Sequence, residues 1–163
     1  MSVALNIVIF MTSYTYRNGQ MTEIPDTVIA EDLEIRESIS NTLIVRPGVN
    51  VTTLASITGT VRVMTGATLE ARGSVSGTVG VEDGARATFH GQASGSINVD
   101  RGAVMHLLPG AVALGVLRIE GTLINEGTRG VNVSGRGTFD DREGSIVRRP
   151  DRSLPDGTAI YVS

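Results

Sequence analysis

One pattern is written three times between Gly48 and Arg101. Gly48, Gly66, Gly84 and Gly102 are evenly spaced, and Gly59, Gly77 and Gly95 keep the same step. A fixed internal period of this size marks a stacked-repeat architecture, in which each unit buries its apolar side against its neighbours. The units are GVNVTTLASITGTVRVMT, GATLEARGSVSGTVGVED and GARATFHGQASGSINVDR. In each, apolar residues alternate with polar ones, which is the period of a strand with one buried face. No helical period competes with it. The expected fold is all-β: a single-stranded right-handed β-helix, or β-solenoid, of about 18 residues per coil, with three faces and capped ends. The two-residue core alternation fits right-handed strands better than hexapeptide turns, in which fewer positions face inward.

In the unit from Gly66, the pattern turns Ala67, Leu69 and Ala71 inward, then Val75 after a bend near Gly73, then Val79 and Val81 after a bend at Gly77. One unit earlier the matching residues are Val49, Val51, Thr53, Ile57, Val61 and Val63; one unit later they are Ala85, Ala87, Phe89, Ala93, Ile97 and Val99. Coils separated by roughly 4.8 Å place equivalent residues directly over one another, so each inward column is a stack of like side chains. Glycine at the corners permits positive φ and close approach of successive coils. With aromatic residues at only 4%, the cross-section must be narrow and filled by small branched side chains. Such a core is poor ground for a cofactor pocket, and no cofactor is expected.

The repeat is present in degenerate form before Gly48. AEDLEIRESISNTLIVRP sets Leu33 on Val51, Ile39 on Ile57, Asn41 on Gly59, Leu43 on Val61 and Val45 on Val63. The chain therefore divides into an N-terminal strand or cap over 1–29, a solenoid over 30–140 and a closing segment over 141–163. MSVALNIVIFMT carries no basic residue before its apolar run, and no small-residue cleavage site follows, so it reads as a strand and not a secretory leader. The expected location is cytoplasmic. Asn18-Gly19 is a hairpin-type turn. After Gly102, one or two extra residues near Pro109-Gly110 are needed to bring Leu117 and Ile119 under Ile97 and Val99. If Leu107, Leu108 and Leu114 are left uncovered there, they form an apolar interaction patch.

Several chemistries are disfavoured. There is no Cys for a disulfide framework or thiolate metal site. A formal charge of −3 argues against a protein built to hold nucleic acid, and no apolar run reaches the length of a membrane span. Three hexapeptides would also fill one such coil, which brings left-handed β-helix acyltransferases into view as a minor alternative. His90 and His106, however, face outward, and the pattern places no acidic residue to orient either. A zinc site would need a third ligand. No catalytic or metal-binding residue is therefore assigned. Outward hydroxyls stack at Thr58, Ser76 and Ser94 and at Thr60, Thr78 and Ser96, with Ser56 and Ser74 leading to Gln92. Two of these columns flank corner glycines and the third is interrupted, so they read as solvated polar ladders and not an ice-ordering lattice.

Charge is distributed unevenly along the chain. Glu23, Asp26, Glu31, Asp32, Glu34 and Glu37 open it, and Arg142, Arg148, Arg149 and Arg152 close it. The acidic opening serves either as a solvated edge or as a docking surface for a basic partner. The candidate partner-contact residues are Glu31, Asp32, Glu34, Glu37, Leu108, Arg148 and Arg149.

The string Gly73-Ser74-Val75-Ser76-Gly77-Thr78-Val79-Gly80-Val81-Glu82-Asp83-Gly84-Ala85, with its echoes at 57–67 and 93–103, resembles the G-x-V-x-G-x-V-x-V-x-x-G-A pattern of bactofilins, bacterial polymer-forming cytoskeletal proteins. The resemblance covers roughly residues 40–120. It implies a right-handed β-helix joining end to end into filaments without nucleotide. The chain differs from that family in having an apolar start and an Arg-rich end where bactofilins usually carry low-complexity tails. GTLINEGT at 121–128 is also similar to the repeats of filamentous-haemagglutinin adhesins. The expected function is non-enzymatic: self-association by ends or edges, or, as the alternative, an immunity protein or inhibitor that neutralises a basic toxin.

Overall fold

A computed structural model describes residues 7–8, 12–17, 20–25, 27–149, 152–155 and 159–160, with side chains described for 28–149 and 154–155. The described residues form strands and turns without a helix, and the repeat closes into a β-solenoid with three faces. The first sheet holds Thr27–Ile29, Leu43–Val45, Val61–Val63, Val79–Val81, Ile97–Val99, Leu117–Ile119 and Val133–Ser134, all parallel. The second holds Leu33–Ile35, Asn50–Thr53, Thr68–Ala71, Arg86–Phe89, Val104–Leu107, Thr122–Asn125 and Thr138–Asp141. The third begins as single bridges linking Ile39, Ile57, Val75 and Ala93. It then widens into Gln92–Ala93, Val112–Ala113, Thr128–Arg129 and Ile146–Val147. The parallel ladder thus opens at Thr27 and runs to Val147, somewhat beyond 30–140 on both sides.

Inward columns follow the alternation. Val61, Val79 and Ile97 stack in the first sheet, and Leu69, Ala87 and Met105 in the second, all buried. In two successive coils side-chain volumes compensate: Leu69 is followed by Ala71, whereas Ala87 is followed by Phe89, the largest fully buried side chain. Phe89 therefore stacks between Ala71 and Leu107, and a small residue above it makes room for the ring.

Coil length varies in steps of two. Ile97 pairs with Leu117 and Leu117 with Val133, so a coil two positions longer than the regular one is followed by a coil two positions shorter. An even step is required because strand side chains alternate; a single inserted residue would turn every following inward side chain out. Both lengths arise by moving one turn. From Gly48 to Gly102 a two-residue turn sits at the corner between the first and second sheets, closed by bonds such as Ala103 N to Asp100 O at 3.0 Å. Gly102, with φ of 80°, takes the position where a type II turn needs the left-handed region. On the next stretch the same turn reappears one corner later, at Pro109-Gly110, with Ala111 N bonded to Leu108 O at 2.9 Å and Gly110 at φ 89°. The extra residues lie where the register shift places them. Leu107 is fully buried there, while Leu108 and Leu114 are only half-buried.

The corner between the third and first sheets is tighter. A Cβ built on Gly77 would overlap the carbonyl of Gly59, and one on Gly95 the carbonyl of Gly77. Glycine is required here by coil-to-coil approach and not by φ.

At the N-terminal end, Ile7–Val8 runs antiparallel along Thr27–Ile29 and terminates the parallel ladder of the first sheet. Thr12–Arg17 and Gln20–Pro25 form an antiparallel pair in which Arg17 faces Gln20. The Asn18-Gly19 turn between them lies outside the described residues, as does most of 1–12. Val28 and Ile44 point outward by alternation yet are only 2% and 7% exposed, so the outer face of the first sheet is covered at this end.

Candidate functional site

The last coils depart furthest from the repeat. The inward column Thr53, Ala71, Phe89, Leu107 continues as Asn125 and Asp141. The column Ala93, Ala113 continues as Arg129 and Val147. The core therefore ends in polar groups that satisfy one another. Arg129, whose side chain is only 14% exposed, grips Asp141 with two bonds, Nε to Oδ1 at 2.8 Å and Nη2 to Oδ2 at 2.7 Å. Its Nη1 donates to the Gly130 carbonyl at 3.1 Å, and its guanidinium lies 5.3 Å from the centre of the Phe139 ring. Fully buried Asn125 donates to Asp141 Oδ1 at 3.0 Å and accepts from Gly127 N at 3.1 Å. A fork of this kind tolerates partial burial because both oxygens are used. The Arg129 bonds hold the Asp141 carboxyl below the ordinary carboxylate range against the opposing effect of burial, with the Asn125 amide assisting.

Beyond this polar plug lie the outermost strands that the described residues form. Val133–Ser134, Thr138–Asp141 and Ile146–Val147 each terminate a sheet, with no further strand paired to them among the described residues. Ile146 is 56% exposed and Val147 41%. Val147 stands in an inward column, and among the described residues no further strand follows it in that sheet. Arg149 is exposed beside it, while Arg148 is half-buried and bonded through its backbone N to Arg129 O at 2.7 Å.

The acidic opening is thinner than its sequence density implies. Glu31, Asp32, Glu34 and Glu37 are all exposed. Asp32, however, accepts from Asn50 N at 2.8 Å and so ties two coils together, and Glu34 pairs with Arg36 at 3.0 Å. The candidate residues form two groups at opposite ends of the rod, with Leu108 between them on the Pro109-Gly110 corner.

The expectation that neither histidine has an acidic partner is overturned. His90 Nε2 lies 2.7 Å from Glu70 Oε1, and His106 Nε2 lies 2.8 Å from Glu126 Oε2. Each partner sits one coil away and two positions along, a diagonal that a search of vertical columns does not find. Glu126 also bonds Arg142, and Arg142 bonds Asp140, so the pair extends across the outer face of the second sheet. The His106 bond is the main reason that the Glu126 carboxyl is held below its ordinary value. The shallow depression of about 280 Å³ lined by Asn98, Asp100, Arg118 and Glu120 belongs to the first sheet and its corner, and neither histidine lines it.

Among the described residues no cluster of three or more His, Cys, Asp or Glu is arranged to hold a metal ion, and no helix is long and apolar enough to cross a membrane. The sequence matches no protein-family model, and no curated protein or solved structure matches it.

Proposed function

We infer that the protein is a non-catalytic structural rod that associates with further copies through its last coil. The observation that carries this reading is the set of three terminal strands, Val133–Ser134, Thr138–Asp141 and Ile146–Val147, left without a partner strand among the described residues. Open edges of this kind pair readily with other chains unless charge, bulges or covering segments prevent it. Exposed Ile146 and Val147 add apolar area beside them. The other end is less suited, since Ile7–Val8 already occupies the first sheet's edge. Head-to-tail joining in coil register would also set Asp140 over Glu34 and Arg142 over Arg36, and like charges directly opposite are destabilising. Contact between two last coils avoids both obstacles. A basic toxin held at the acidic opening is less supported, because Asp32 and Glu34 are already engaged within the rod.

Sedimentation velocity over a wide range of protein concentration, with negative-stain imaging of the same samples, tests the reading. The expected result is growth beyond the monomer without nucleotide, suppressed by Val147→Lys. A concentration-independent monomer rejects it.

A further inference from the structure

We draw no further inference here: the strongest candidate, the surface patch that Val112, Leu114 and Val116 form across the outer face of the third sheet and its Gly115 corner, carries none, because nothing in the structure shows what covers it.

Discussion

Two glycines three positions apart should respond to the same substitution with opposite sign. Gly77 and Gly80 flank the start of the strand Val79–Val81. At Gly80 the nearest atom to an added Cβ is the Val61 carbonyl oxygen at 4.0 Å, an ordinary contact. Gly80→Ala therefore removes backbone freedom from the unfolded chain without a steric cost, and should stabilise by about 0.5–1 kcal/mol. At Gly77 the Cβ would overlap the Gly59 carbonyl, and the backbone must retreat by about an ångström. The bonds beside it are Ser76 N to Ile57 O at 2.9 Å and Val61 N to Thr78 O at 2.7 Å. Lengthened by that much, neither remains a hydrogen bond. Two lost bonds at about 1 kcal/mol each, with some loosening of the Val61–Val79 stack, give Gly77→Ala a destabilisation of about 2–3 kcal/mol. The variants should thus differ by roughly 3 kcal/mol, read from urea unfolding followed by circular dichroism at 25 °C. Equal midpoints would show that the corner is not held by close coil approach, and the argument for the whole glycine column would fall with it.

Other consequences are as direct. Phe89→Ala, which empties the largest buried site, should cost about 3–5 kcal/mol in the same urea experiment; a loss under about 1 kcal/mol would mean that the core collapses around the gap. Deleting Pro109 and Gly110 together preserves the inward alternation and should leave a folded rod with a cooperative melt, whereas deleting Pro109 alone turns Ala111 and Ala113 outward and should abolish that melt. The folded Asp141 carboxyl titrates below its ordinary value because Arg129 donates to it, so its contribution is present above the ordinary value and is lost as pH falls through the depressed one. The amides of Thr138–Asp141 and Ile146–Val147 should therefore lose hydrogen-exchange protection, corrected for intrinsic rates, before those of the middle coils as pH drops below about 4. Uniform protection down the rod would refute that local role.

The inward columns were legible in the sequence because two periods constrain each position at once. Val79 is placed inward by alternation along its strand and by Val61 one coil before it, and a reading that satisfied only one would conflict with the other. The Pro109-Gly110 shift was legible because its turn chemistry is explicit. The diagonal His90–Glu70 and His106–Glu126 pairs were not, since a side chain long enough to cross to the next coil need not bond within its own column. Asn125 and Arg129 were also missed as inward residues, although extending the alternation through GTLINEGTRGVNV places both there. A charge at an inward position contradicts the usual reading of that position. It becomes intelligible only once Asp141, contributed by the following coil, is seen to complete the fork. The burial of outward Val28 and Ile44 had no sequence signal, because alternation alone cannot report what lies over a sheet's outer face.

The departures from the repeat are not spread evenly. The turn changes corner between Gly102 and Gly110, the third face exchanges hydroxyls for Val112, Leu114 and Val116, and the core admits Asn125, Arg129 and Asp141, all on the C-terminal side of residue 102. Stacking alone would be served by further copies of the middle unit, which already fills its core and satisfies its backbone. Desolvating an ion pair often costs more than its attraction returns, and an exposed apolar row adds nothing to the stability of an isolated coil. The Arg129–Asp141 fork closes a core that stacking would otherwise leave bare, whereas the exposed Val116 does nothing for stacking. Their placement puts the Leu114 row and the open terminal strands on the same half of the molecule. The regular middle coils then hold that half in shape, and in sedimentation velocity substitutions confined to Thr58, Ser76 and Ser94 should leave association unchanged while changes at the outermost strands, such as Val147→Lys, alter it.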